Sequence, residues 1–331
     1  MKRLFALLLG AILVLGGLSD ADAQAKKYKL ASIMAAPIQD ADYGTLAYET
    51  INFLKKKYQI QTAYAEKAQV PEAERIIREY IDEGYNIIWL HGAQFTPPAL
   101  KIAGEFPNVI FIAEEDLIPK TIPPNFWYLE RNYYIGFYPL GYLATLRTQT
   151  GKIGYIGGLD LPFARGEVNA IKQAFRDYGA KVEFDYLFVG DFNDVLKSRQ
   201  ATEGLIAKGV DVIISALNMG NFGMFPAVMQ AKRPVYVMTT YTDKKSLAPG
   251  LFLTSDLYDF SIPLDHIVGK VIKDGTKTGV VPLEYGPGKA IWTQFPIQNV
   301  SDEINAKVKK LADDIVAGKV KVIRKLDKIV E

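Results

Sequence analysis

The chain alternates short apolar runs with amphipathic helical stretches, and it does so twice. Tyr28–Met34, Asn86–Leu90 and Val109–Ala113 are brief, rich in β-branched or aromatic residues, and bounded by Gly, Pro or polar residues, as buried strands are. Between them lie Leu46–Tyr58 and Glu72–Glu83, where Ile76, Ile77, Tyr80 and Ile81 follow helical spacing and Gly84 stands at the C-cap position. A βαβαβ order predicts a parallel sheet with helices on both faces. The order returns in Lys152–Ile156, Gly166–Tyr178, Val195–Lys208, Val210–Ala216 and Pro234–Met238, with Gly179 and Gly209 closing the two helices. Lys29 corresponds to Ile153 and Ile87 to Asp211, both at an offset of about 124 residues, which predicts two similar lobes in tandem. "YIDEGYNIIWLHG" and "LIAKGVDVIISAL" show the same helix, glycine cap and buried strand.

Beyond both repeats, Leu251–Ser255 reads as a strand, His266–Asp274 as part of a helix, Tyr285–Thr293 as extended chain, and Ser301–Ala317 as a helix closed by Gly318. These segments must complete the sheets, so the chain is expected to cross between lobes several times. The expected fold is α/β, two doubly wound parallel-sheet lobes. The first comprises residues 24–147 plus about 251–284, and the second 148–250 plus about 285–331. Ligands of open parallel sheets bind beyond the strand C-termini, and clefts between domains are favoured sites.

The first 23 residues have the form of a cleavable export signal. Lys2 and Arg3 give a positive start, Leu4 to Leu18 an apolar run too short to span a bilayer comfortably, and Ala21-Asp22-Ala23 a small-residue cleavage site. With no cysteine to carry a lipid, the mature chain is expected in a periplasm, exported and not lipidated at cysteine.

Composition removes most chemistry. The absence of Cys excludes disulfides, a thiolate nucleophile and cysteine-ligated metal, and His91 and His266 are the two histidines. Lys and Arg total 39 against 37 for Asp and Glu, a net +2 that gives no basis for a nucleic-acid partner. No nucleophile elbow, zinc-binding helix motif, P-loop or correctly spaced dinucleotide loop occurs. Glycines of "GKIGYIGG" at 151–158 suit close backbone packing instead. His91 ends a strand beside Gly92, in the cleft or packed in the core, and Glu114-Glu115-Asp116 lacks the ligand spacing of a metal site. No enzyme activity, metal or cofactor is expected.

What remains is binding chemistry at the strand ends. Gln39, Asp40, Asp42 and Tyr43 follow the first strand, His91 to Phe95 the second, and Glu114-Glu115-Asp116 the third. In the second half Gly157–Arg165, Asn218–Phe225 and Thr239–Asp243 take those places. Tyr43, Phe95, Phe163, Phe222, Phe225 and Tyr241 stand among amides and carboxylates, a mixture suited to a planar heterocycle stacked on rings and read at its edge.

"AYETINFLKKKY", "GAQFTPPALKIAGEFPNVIF", "RTQTGKIGYIGGLDLPFARGEVNAIKQAF" and "VKKLADDIVAGKVKV" resemble the basic membrane protein family, the purine-nucleoside-receptor-like substrate-binding components of ABC transporters. The resemblance runs from about residue 28 to about 325 and is most specific at the T-G-K-x-G-[FY]-[IV]-G-G segment with Pro162, Arg165 and Asn169. It implies a type I periplasmic-binding-protein fold that closes on a small molecule and delivers it to an inner-membrane permease and its ATPase. It further implies that Asp40, Tyr43, Phe95 and Glu115, the last in a register that also admits Glu114, contact the ligand, with a second stacking ring at Phe222 or Phe225. The family's Asn after the first ring is Gly44 here, and its ribose-holding Asp and Lys fall on Tyr241 and Tyr258. Losing both ribose partners turns the expectation from an ordinary nucleoside to a purine nucleobase or a similar flat ring, with a flavin-like ligand also open. The alternatives are a ligand-sensing module for a membrane receptor and an exported nucleoside hydrolase. Nothing forces an oligomer, and a monomer is expected.

Overall fold

A computed structural model describes residues 28–330, so the expected export signal lies outside the described residues. The first half runs β1 (Lys29–Met34), α1 (Tyr43–Tyr58), β2 (Gln61–Ala65), α2 (Ala73–Asp82), β3 (Ile87–His91), α3 (Thr96–Ile102), β4 (Ile110–Glu115) and β5 (Phe126–Glu130). The second half runs α4 (Tyr134–Arg147), β6 (Lys152–Gly157), α5 (Pro162–Asp177), β7 (Glu183–Phe188), α6 (Val195–Ala207), β8 (Val212–Ala216), α7 (Asn221–Met229), β9 (Tyr236–Tyr241) and β10 (Phe252–Tyr258). Then come α8 (Ser261–Asp274), β11 (Gly279–Pro282), β12 (Ile291–Thr293) and α9 (Asp302–Val316).

The sheets repeat one topology. Their strand orders are β2-β1-β3-β4-β5-β11 and β7-β6-β8-β9-β10-β12, six strands each. Every pairing is parallel except β10 with β12. Equivalent strands also share a register, for Leu30 faces Ile87 in the first sheet and Ile153 faces Val212 in the second. The helix ends match as well. Tyr85 N donates to Tyr80 O and Val210 N to Leu205 O, each beside a left-handed glycine, Gly84 at φ 86° and Gly209 at φ 100°. Both are Schellman closures, which require a residue at positive φ and therefore favour glycine.

Central strands are apolar on both faces because helices cover both, as in the fully buried run Ile87–His91. Edge strands β2 and β7 are only half-buried, and their mixed sequences QTAYA and EFDYLF carried too little apolar signal to be predicted.

Lobe membership differs from the expected boundaries at two places. Helix α4 packs its Phe137, Leu140 and Leu143 against Tyr155, Val168 and Ile171, so it belongs with the second sheet and not with residues 24–147 of the first lobe. Strand β10 pairs with β9 and β12 in the second sheet, so the return to the first lobe begins after Tyr258 and not at 251. Both elements are apolar and satisfy either lobe by pattern alone. Hydrogen-bond pairing decides. The chain crosses between lobes after β5, after β10 and between β11 and β12.

Candidate functional site

A cleft of about 840 Å³ opens between the lobes. Its walls come from loops at the C-terminal ends of the parallel strands, where helix N-termini and loop side chains converge. The first lobe supplies Gln39 and Tyr43 after β1, Lys67 and Gln69 after β2, Gly92 and Gln94 after β3, and Arg131 and Tyr133 after β5. The second supplies Leu161 and Phe163 after β6, Asp191 to Asn193 after β7, Asn218 and Met219 after β8, and Tyr241 at the end of β9.

Tyr43 opens α1 and is fixed from below. Its ring lies on the His91 ring at 3.6 Å between centroids and 19° between planes. Its hydroxyl donates to Glu114 Oε2 at 2.6 Å. His91 Nδ1 meets Glu114 Oε1 at 2.5 Å, Nε2 meets the Tyr43 carbonyl at 3.0 Å, and the Trp89 indole donates to Glu114 at 3.2 Å. Burial raises the Glu114 pKa, but His91, the hydrogen bonds and nearby Arg131 outweigh it and hold the carboxyl below its ordinary range. Burial and the Glu114 charge push the Tyr43 phenol well up, so it stays a donor. His91 is thus a buried support for the wall, between the two places its sequence left open.

The second lobe contributes Phe163 and Phe192, stacked at 6.2 Å and 18°, with Phe163 edge-on to Tyr133 of the first lobe at 5.6 Å. Arg131 lies over the Phe163 ring at 5.0 Å and is clamped by Asp116, Nε to Oδ1 at 2.8 Å and Nη2 to Oδ2 at 2.8 Å. Tyr241 sits at φ 73°, left-handed for a residue with a side chain. Such a conformation costs on the order of 1–3 kcal/mol and persists where surrounding packing over-determines it. Here Tyr133 and Tyr258 pack against its ring at 6.3 and 4.8 Å.

Of the seven residues expected to touch ligand, Tyr43 and Tyr241 line the cleft. Tyr258 is buried behind them, 4.9 Å from the Tyr133 ring. The other four are directed elsewhere. Asp40 accepts the backbone N–H groups of Asp42, Gly44 and Thr45 at 2.8, 2.8 and 3.0 Å, and so shapes the turn into α1. A Cβ on Gly44 would stand 2.2 Å from the Pro37 carbonyl oxygen, which explains why no side chain follows Tyr43. Phe95 is packed in the first-lobe core, leaving Gly92 and Gln94 at the surface of the cleft. Glu115 lies on the opposite face of β4 from Glu114, its carboxyl raised by burial. Phe222 is 41% exposed on α7, and its alternative Phe225 is buried beneath the second sheet.

Sequence reasoning missed Arg131, Tyr133 and Phe192. Each follows a strand that was not predicted, β5 for the first two and β7 for the third, so no strand end was assigned to their loops. The run FWYLE before Arg131 was the available signal. Among the described residues, no group of three or more His, Cys, Asp or Glu is arranged to hold a metal, and no helix is long and apolar enough to cross a membrane.

The lobes are joined beside the cleft. Asp42 pairs with Lys244 and lies 3.0 Å from Thr242 Oγ1 and 3.5 Å from Asn221 Nδ2. Burial lifts the Asp42 carboxyl to about 7, against the opposing pull of Lys244.

A family model described as ABC transporter substrate-binding protein, PnrA-like, matches residues 27–323. Basic membrane protein A2 of Borrelia garinii subsp. bavariensis is 24% identical over 295 residues, spanning 85% of this chain and 86% of the relative. Among solved structures, an ABC transporter solute-binding protein of Conexibacter woesei superposes with a TM-score of 0.69 at 22% identity, covering 90% of this chain and 99% of that one. An ABC transporter solute-binding protein of Aeropyrum pernix gives 0.78 at 16% identity, covering 91% and 94%.

Proposed function

The chain belongs to the PnrA-like substrate-binding proteins of ABC transporters, and from that premise we propose that its interlobe cleft captures a planar heterocycle, purine-like, for a membrane permease. The observation that carries this reading is the set of aromatic walls drawn from both lobes, Tyr43 and Tyr133 from one and Phe163, Phe192 and Tyr241 from the other. Flat rings on two sides of a cleft gain from a flat guest about 0.5–1.5 kcal/mol per stacked pair beyond the area they bury. Gln39, Gln94 and Asn218 also line the cleft, and this reading takes their amides as its edge hydrogen-bond partners. The ligand is bound and released unaltered, and the chain acts outside the cytoplasm, consistent with the export signal read at residues 1–23.

With tyrosines where ribose partners would stand, a nucleobase suits the site better than a nucleoside. Two stacked rings, two or three hydrogen bonds and the associated burial account for micromolar affinity, about −8.2 kcal/mol. Calorimetry of the chain from residue 24 against nucleobases, nucleosides and flavins tests the reading. Micromolar binding of a ring compound is expected, and no binding tighter than about millimolar, about −4.1 kcal/mol, would remove the assignment.

A further inference from the structure

Charged acceptors are scarce in the cleft, whose acceptors are mostly the amide oxygens of Gln39, Gln69, Gln94, Asn193 and Asn218. The carboxylates expected to receive N–H donors from a ligand are engaged or directed elsewhere, Asp40 by backbone amides, Glu115 to the other face of β4, and its register alternative Glu114 by Tyr43, His91 and Trp89. Asp191 at the mouth already accepts the Asn193 N–H at 2.8 Å. Donors are better represented. The Arg131 guanidinium is held rigidly by Asp116 through Nε and Nη2, and among the described residues Nη1 makes no hydrogen bond. Tyr133 lines the same cleft, and among the described residues its buried hydroxyl has no hydrogen-bond partner. Burial raises that phenol well above its ordinary value, so it keeps its proton. Lys67 adds an exposed ammonium at the rim.

A donor-rich aromatic cleft discriminates by what it would leave unpaired. A ring bearing carbonyl oxygens offers Arg131 and Tyr133 strong acceptors, whereas a ring bearing an exocyclic amine in that place sets a donor against these donors and leaves only its ring nitrogens to accept. We propose that the cleft selects a planar heterocycle of the oxopurine class over an aminopurine, with Arg131 and Tyr133 as the residues that read the ring oxygen. This inference rests on the heterocycle reading above and narrows it.

Xanthine, adenine and riboflavin, titrated separately into the chain from residue 24, give the test. Xanthine is expected to bind at least tenfold more tightly than adenine. Arg131→Gln combined with Asp116→Asn removes the charge without leaving a buried carboxylate, and is expected to weaken xanthine by about tenfold to a hundredfold while adenine changes less than about threefold. Should the double variant fail to fold, the wild-type comparison of xanthine with adenine decides alone, and Lys67→Gln, which sits at the rim, checks that the preference does not arise there. Adenine binding as tightly as xanthine, or riboflavin binding while neither purine does, overturns the inference and leaves the heterocycle reading standing. No binding of any of the three overturns both.

Discussion

Asp42 and Lys244 form an ion pair that crosses the gap between the lobes with side chains only 1% and 5% exposed. Asp42 belongs to the loop that carries Tyr43 into the cleft, and Lys244 follows the strand that ends at Tyr241. The Thr242 hydroxyl adds a donor bond across the same seam, to the Ala41 carbonyl at 2.7 Å. The loops that carry Tyr43 and Tyr241 are therefore held together by polar contacts one to three residues from each ring.

Breaking one side of such a pair is costly because the other charge stays buried. Lys244→Met is expected to lower stability by about 3–5 kcal/mol, and the double variant with Asp42→Asn to recover much of that loss. Urea unfolding of the four proteins closes the cycle. A loss in the double variant equal to the sum of the two single losses would show that the pair does not couple the lobes.

The Asp42 carboxyl also fixes the sign of one pH effect. Its pKa rises from 3.8 to about 7 on folding, so the folded protein holds this proton more tightly than the unfolded chain. The associated stability is fully present below about 3.8 and is lost as pH rises through about 7. Glu114, held below its ordinary 4.5, has the opposite sign and loses its contribution as pH falls below the carboxylate range. Subtracting Asp42→Asn from the wild type between pH 4 and 8 isolates the first effect. The difference is expected to fall with rising pH, and a flat or rising difference contradicts the assignment.

Tyr43 divides into a ring and a hydroxyl with separate roles. Tyr43→Phe keeps the face on His91 and removes the bond to Glu114, so stability is expected to fall by about 1.5–3 kcal/mol with ligand affinity within about threefold. Tyr43→Ala removes the wall and is expected to weaken binding by about tenfold or more. Calorimetry beside thermal unfolding separates the two. Unchanged affinity in Tyr43→Ala takes Tyr43 out of the site.

Gly136 and Asp256 constrain one another behind the cleft. A Cβ on Gly136 would stand 1.9 Å from an Asp256 carboxylate oxygen, and Asp256 is fully buried. Alanine usually strengthens a helix interior by about 1 kcal/mol over glycine. Here Gly136→Ala is expected to destabilise by about 1–3 kcal/mol, the ordinary penalty of overpacking, and Asp256→Ala to relieve most of it. Additive losses in the double variant would show that the two positions do not touch.

The duplicated architecture was readable because its signals are redundant. Gly84 and Gly209 cap equivalent helices, and Ile87 and Val212 begin equivalent buried strands whose apolar runs leave little choice of element. The site was less readable for a physical reason. Arg131, Tyr133 and Phe192 reach the cleft only because strands β5 and β7 end beside it, and β7 is a half-buried edge with weak patterning. Asp40 resembled a ligand acceptor because an acid before a helix can serve either a ligand or the helix's own amide groups, and spacing does not distinguish these uses. Glu114 and Glu115 differ by one position on a strand, which places them on opposite faces.

Mass spectrometry of small molecules released on denaturing the purified chain tests the central claim most directly. A flat ring compound, oxygen-bearing and close to stoichiometric with protein, is expected. A stoichiometric sugar, amino acid or peptide in its place would contradict it.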